Sequence, residues 1–124
     1  MGNRQGKIWG STTELLKTPL VEFHAISISA GMQCSMHKHE HKWNGFYVTK
    51  GRLYIHVRKN NYNLIDTTVL NEGDFTMVKP GEFHRFEAAT QVEAVELYWP
   101  EMLSEDIVRE DVGGEARPEG KASE

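Results

Sequence analysis

The stretch CSMHKHEHKWNGFYVTKG, residues 34–51, carries three histidines at alternate positions, His37, His39 and His41. Side chains two residues apart point to the same face of an extended chain. A neutral imidazole is a good ligand for zinc, iron, copper or nickel, so His37 and His39 can share one ion. The apolar and aromatic run that follows, residues 46–48, predicts a short strand. This stretch therefore indicates a β-fold with a candidate metal site.

Short apolar segments separated by turn residues make up most of the chain on either side. Strands are predicted over residues 22–29, 46–48, 52–57, 64–70, 75–78, 84–87 and 92–99. The polar run KNNYN (59–63) predicts a hairpin loop, and NEGD (71–74) and KPG (79–81) predict turns. Seven or so short strands at close spacing are typical of an all-β sandwich or barrel.

Composition excludes several classes of function. The chain has 124 residues, a net charge of -4 and one cysteine, so we expect a single domain without an internal disulfide. There is no basic patch to bind nucleic acid and no apolar run long enough to span a membrane. The N-terminus lacks the apolar core of a signal peptide. We predict a cytoplasmic protein with no nucleic-acid or membrane partner.

The C-terminal part differs from the rest in composition. Ser104 is placed to cap a short helical turn over residues 104–108, with acidic residues next to it. From Gly113 onward the sequence GGEARPEGKASE is polar and nearly free of apolar side chains. We therefore predict a β-barrel domain over residues 1–112 and a disordered polar tail over residues 113–124.

The turn residues and histidines together match a family pattern. Gly31, His37, His39, Asn44 and Gly51 have a spacing that resembles the first cupin motif, and Gly73, Asp74, Lys79, Pro80, Gly81 and His84 resemble the second. The resemblance implies a single jelly-roll β-barrel or sandwich. It also implies that His37, His39 and His84 hold one divalent metal ion, with zinc, iron, manganese and nickel as candidates.

Asn44 departs from this pattern, because the family usually has a glutamate ligand at its position. A neutral amide oxygen is a weaker ligand than a carboxylate and contributes no negative charge. Three alternatives stay open for Asn44. Either the metal is held by the three histidines alone, or Asn44 coordinates it weakly through its oxygen, or Asn44 only hydrogen-bonds a metal-bound water.

The flanking segments resemble one branch of the family more closely. KIWGST (7–12), FHRF (83–86) and LSEDIVRED (103–111) are similar to segments of the mannose-6-phosphate isomerase cupin domain. That domain's Arg-containing stretch after the histidines is EHKW (40–43) here, and its Tyr-Gly-Arg ending is VGG (112–114). The resemblance implies metal-assisted aldose–ketose isomerisation of a phosphosugar.

Such chemistry needs an anion-binding group and a base. Arg85, Arg109 and His41 are the candidates for substrate binding, whereas Lys42 is interpreted as a solvated surface charge. Glu96 and Tyr98 share one face of the last strand and are the candidate catalytic residues if that face points into the barrel. If that face points to water instead, Glu96 and Tyr98 are not part of the site.

Two other functions remain open, and so does the assembly. A neutral three-histidine site also suits Fe(II), so a non-haem iron dioxygenase is one alternative. A non-catalytic cupin that binds a sugar or another small molecule on its aromatic side chains is the second. Since open sheet edges favour pairing, we expect a homodimer.

Overall fold

The structure is a computed structural model that describes residues 3–59, 64–100 and 112–116. All regular secondary structure within these residues is β-strand. The strands are β1 (Arg4–Lys7), β2 (Gly10–Lys17), β3 (Glu22–Ile28), β4 (Trp43–Lys50), β5 (Leu53–Lys59), β6 (Leu64–Leu70), β7 (Phe75–Val78), β8 (His84–Ala88) and β9 (Val92–Trp99).

The strands form two antiparallel sheets that pack face to face. One sheet has the order β1-β2-β3-β9-β4-β7 and the other the order β6-β5-β8. Inward-facing side chains alternate with outward-facing ones and fill the space between the sheets. The fully or nearly fully buried apolar residues include Ile26, Ile28, Phe46, Val48, Leu53, Ile55, Leu70, Val78, Phe86, Ala88, Val92 and Ala94. The predicted all-β jelly-roll sandwich is confirmed.

Strand prediction succeeded where segments rich in apolar or β-branched residues stand between turns, and it failed where a strand is mostly polar. The predicted bounds of β6, β7 and β9 agree with the structure. Strands β1 and β2 were not predicted, because RQGK is fully exposed and GSTTELLK is mostly polar. β2 pairs with β3, and β1 pairs with β2 and forms the edge of the sheet. The histidine stretch, residues 37–41, lies outside the regular strands. Within it only His37 makes an isolated bridge, to His84.

Several predictions fall on residues that the structure does not describe. These are the tip of the hairpin loop (60–63), the helical turn (104–108), Arg109 and most of the C-terminal tail (117–124). Residues 112–116 are exposed and have no regular structure. The boundary at residue 112 therefore stays a prediction. No helix long and apolar enough to cross a membrane occurs in the described residues.

Candidate metal centre

The inward faces of four strands change from apolar to polar at the same end of the sandwich. These faces read Ile28, Ile26, His24 on β3; Val48, Phe46, Asn44 on β4; Ala88, Phe86, His84 on β8; and Val92, Ala94, Glu96, Tyr98 on β9. Cross-strand register places Glu96 beside His24 and Asn44 beside Tyr98. Because an unpaired buried polar group costs free energy, polar side chains grouped at one end indicate a site.

Backbone hydrogen bonds attach the histidine stretch to this polar end. The amide of His37 donates to the carbonyl of His84 at 3.0 Å, and the amide of His84 donates back at 2.7 Å. The amide of Gly81 donates to the carbonyl of His39 at 2.8 Å. The turn before β8 therefore holds His37 and His39 next to His84, although 45 or more positions separate them along the chain.

The three imidazoles converge on one point. One nitrogen from each of His37, His39 and His84 lies within 4.8 Å of the other two. The ring centroid of His37 is 5.1 Å from that of His39 and 4.6 Å from that of His84, and the remaining pair is 5.5 Å apart. This spacing is compatible with three nitrogen ligands of one metal ion.

Hydrogen bonds assign the tautomers of two of these histidines. His37 Nδ1 lies 2.7 Å from the carbonyl oxygen of Ser35, and His84 Nδ1 lies 3.0 Å from that of Glu82. A carbonyl oxygen only accepts, so each Nδ1 carries the proton and each Nε2 keeps its lone pair. A backbone carbonyl that orients an imidazole in this way is typical of metal-binding histidines.

His39 presents a buried nitrogen without a partner. Its Nε2 is buried and makes no hydrogen bond in the structure. Burial, together with the neighbouring His37 and His84, lowers the pKa of His39 to about 4. Burial also lowers the pKa of His84. Both imidazoles therefore favour the neutral form that binds metal.

Asn44 directs its side-chain oxygen at His84. Its Nδ2 donates to the carbonyl of Leu97 at 3.2 Å and to the carboxyl of Glu96 at 3.3 Å, which fixes the amide orientation. Its Oδ1 then lies 3.0 Å from His84 Nε2. With Nδ1 of His84 protonated towards Glu82, the two facing atoms both present lone pairs.

A shared cation would resolve this contact between two acceptors. Ligand atoms that are each about 2.1 Å from one ion can lie about 3 Å from each other. The nitrogens of His37, His39 and His84 would hold a divalent ion, and the oxygen of Asn44 beside His84 would supply a fourth, neutral donor. Imidazole and amide donors suit a first-row transition metal.

Glu96 and Tyr98 both face the interior beside this centre. Glu96 is 9% exposed, and burial raises the pKa of its carboxyl group. Tyr98 is half-buried on the same face, and burial together with the neighbouring Glu96 carboxyl group raises the pKa of its hydroxyl. The ring of Tyr98 packs edge-on against His39 with centroids 5.0 Å apart.

The other candidates for substrate binding are placed differently. His41 is exposed and lines the rim of a cavity next to the centre. Arg85 alternates with His84 on β8, so its side chain lies on the opposite face of the sheet, in register with His56. Arg109 lies outside the described residues.

Sequence reasoning gave no role to Glu22 and His24 at the opening of the centre and interpreted Lys42 there as a surface charge. A cavity of about 390 Å³ leads to the histidines and is lined by Glu22, His24, Lys42 and Tyr98 among others. His24 was assigned to an alternating strand but given no role, although it shares an inward face with Ile26. That shared face was the available signal.

Substitution of Asn44 tests its part in the centre. We expect Asn44→Asp to raise divalent-metal affinity at least about tenfold, because a carboxylate adds charge to the donor set. The same change should lower the free energy of unfolding of the metal-free protein by about 2 kcal/mol, since it buries a second carboxyl group beside Glu96. Asn44→Leu should weaken metal binding about tenfold. Competition with a chelating dye and urea unfolding with and without metal measure both effects. Unchanged affinity in both variants would remove Asn44 from the centre.

The fold and the centre define a class: a small antiparallel β-sandwich with three convergent imidazoles inside one end. Residues 25–100, more than half of the chain, match the family described as Cupin domain, and the chain belongs to that family. A comparison with curated proteins gave no match.

Solved structures show the same fold at low identity. KdgF from Halomonas sp. superimposes with a TM-score of 0.68 and 17% identity over 81% of this chain and 89% of that one. CapF from Staphylococcus aureus gives 0.70 and 23%, over 86% of this chain and 30% of CapF. Bacillus subtilis oxalate decarboxylase, a protein with Mn(II) centres, gives 0.71 and 14%, over 86% and 29%. The chain therefore spans about three tenths of the last two proteins.

Proposed function

We propose that the protein is a metal-dependent enzyme that moves a proton on a small substrate, as in the aldose–ketose isomerisation of a phosphosugar. The observation that carries the proposal is the convergence of His37, His39 and His84 beside the buried Glu96 and the half-buried Tyr98. The resemblance of residues 7–12, 83–86 and 103–111 to the mannose-6-phosphate isomerase domain supports the choice of reaction.

The residues divide the chemistry between binding and proton transfer. A divalent ion, when bound, polarises a substrate carbonyl and stabilises the negative charge that develops on its oxygen. Glu96 is the candidate base, because a raised pKa makes its carboxylate a stronger proton acceptor. Tyr98 lines the same cavity as Glu96 and packs edge-on against His39, so it shapes the substrate-binding space beside the base.

One observation favours a second candidate, a non-haem iron dioxygenase. Asn44 leaves the centre without a carboxylate ligand, so the donor set is neutral. A neutral set of histidines suits Fe(II) with open positions for oxygen and a chelating substrate. The two reactions differ in co-substrate, since only the dioxygenase consumes oxygen.

Isotope exchange separates these functions. The protein is loaded with Zn(II), Mn(II) or Fe(II) and incubated in D2O with a panel of aldose and ketose phosphates. We expect metal-dependent exchange of the proton α to the carbonyl, seen by NMR. Glu96→Gln should slow exchange roughly 10²–10⁴-fold through loss of the base. The matched control is Glu93→Gln, because Glu93 lies on the same strand but bonds to Ser27 on the outer face.

Each other outcome points elsewhere. Oxygen uptake by the Fe(II) protein without proton exchange would favour the dioxygenase. Metal binding with neither reaction would contradict both enzyme functions and leave a non-catalytic binding protein. Equal rates in the Glu96→Gln and Glu93→Gln variants would exclude Glu96 as the base.

A further inference from the structure

Two cavities meet at the opening of the metal centre. The first, of about 390 Å³, contains the histidines, and the second, of about 630 Å³, extends outward from them. Both are lined by Glu22, His39, Lys42 and Tyr98, so these residues form the junction between the metal centre and the outer cavity. A ligand that reaches the metal from the outer cavity must pass these four side chains.

The charges that line the two cavities are predominantly positive. The lysines are Lys7, Lys17, Lys38 and Lys42, and the glutamates, apart from the buried Glu96, are Glu22 and Glu40. The local excess of cations contrasts with the net charge of -4 of the whole chain. The outer cavity also has an apolar wall that includes Leu20, Val21 and Trp99. Low dielectric next to such a wall strengthens attraction for an anion.

Lys42 at the junction and Lys17 in the outer cavity are only loosely paired with Glu22. Glu22 has Lys17 at 3.5 Å, His24 at 3.6 Å and Lys42 at 3.7 Å. Each of these distances is longer than a hydrogen bond between charged groups. An incoming anion can therefore take either ammonium group without breaking a short contact.

Two other lysines of the described chain are paired at hydrogen-bond distance. Lys38 lies 2.8 Å from Glu40, and Lys59 lies 2.8 Å from Glu82. The loose pairing is therefore particular to Glu22 and its partners at the junction. Lys42 is held in place instead by the ring of Tyr98, whose centroid is 4.3 Å from its Nζ.

We propose that Lys42, together with Lys17, binds the anionic group of the substrate, a carboxylate or a phosphate ester. The other end of the substrate reaches the three histidines, and only this second contact rests on the proposed function. The path from Lys42 to His39 runs over Tyr98 in steps of 4.3 and 5.0 Å. A chain of about six bonds of roughly 1.5 Å spans it. This assigns anion binding to Lys42 rather than to Arg85, which lies on the opposite face of β8.

The test uses three six-carbon probes on the Zn(II)-loaded protein: glucose, glucuronate and glucose 6-phosphate. Isothermal titration is expected to show at least one anionic probe binding about tenfold or more tighter than glucose. Lys42→Met should abolish that advantage and leave the affinity for glucose unchanged, and Lys42→Arg should retain most of it. Glu22→Gln should strengthen anion binding severalfold by removing the competing carboxylate. Lys59→Met is the matched control, because Lys59 is paired with Glu82 away from the cavities.

The outcomes separate this inference from the proposed function. Equal binding of all three probes, or a Lys42→Met variant that keeps the preference for the anion, would overturn the anion site. A preference that depends on Lys42 but is the same in the metal-free protein and in His84→Ala would support the anion site while contradicting the metal-dependent function. The better of the two anions identifies the substrate as a sugar acid or a sugar phosphate.

Discussion

The double variant His37→Ala/His39→Ala is expected to bind no divalent metal at concentrations that saturate the wild-type protein. Two of the three convergent imidazoles are lost, and a single histidine with an amide oxygen does not retain a transition metal. The fall in affinity should greatly exceed the roughly 10–100-fold cost of losing a hydrogen-bond partner of a ligand. Elemental analysis of purified protein and competition with a chelating dye measure it.

The matched control is His56→Ala. His56 bonds to Thr67 and Glu87 at 2.7 Å each, on the outer face of the smaller sheet. Its removal should leave metal content and affinity within about twofold of wild type. Equal loss of metal in the control and in the double variant would show that the ion is not held by the proposed centre.

Gly51→Ala is expected to be the most destabilising single substitution proposed for the scaffold, at about 4 kcal/mol. Gly51 has φ +91°, a conformation that other residues rarely adopt. A Cβ atom there would overlap the carbonyl oxygen of Gln91 and lie 2.7 Å from the Thr90 hydroxyl oxygen. Because the overlapping atom is backbone, the turn between β4 and β5 must shift. Urea unfolding monitored by tryptophan fluorescence measures the effect.

Gly73→Ala provides the comparison at similar backbone geometry. Gly73 has φ +87°, but a Cβ atom there would meet no atom within 4 Å. The free energy of unfolding of this variant should fall by only about 1 kcal/mol, the conformational cost of a side chain at positive φ. Equal destabilisation of both variants would mean that backbone conformation alone, without overlap at Gln91, sets the requirement for glycine at position 51.

The sequence was sufficient to predict the fold wherever period-two alternation brings apolar residues to the interior. Residues 22–29 and 52–57 were predicted to be strands in this way. Residues 64–70 were instead predicted from their β-branched side chains and are mostly exposed, and the approach of His84 to His37 and His39 followed from the resemblance to the two cupin motifs. Strands β1 and β2 could not be predicted by the same rule, because edge strands are held by backbone pairing and their side chains remain largely polar and exposed.

The candidate site was predictable in part for a similar reason. Imidazole chemistry and the resemblance to the cupin motifs selected His37, His39 and His84, and the structure brings these three together. The same resemblance drew attention to Asn44, whose side-chain oxygen lies beside His84. The role inferred for Lys42 depends on ion-pair distances of 3.5 and 3.7 Å from Lys17 and Lys42 to Glu22, compared with 2.8 Å for Lys38 and Lys59. No sequence pattern specifies such distances. Sequence reasoning therefore treated this lysine as a surface charge.

The central claim is that His37, His39 and His84 bind one divalent ion through Nε2. Nitrogen-15 imidazole NMR during titration of the metal-free protein with Zn(II) tests it most directly. We predict that Nε2 resonances of these three histidines shift together and saturate at one equivalent, while those of His24, His41 and His56 stay in place. Nδ1 of His37 and His84 should remain protonated towards Ser35 and Glu82. Shifts confined to other histidines, or no shift at one equivalent, would contradict the claim.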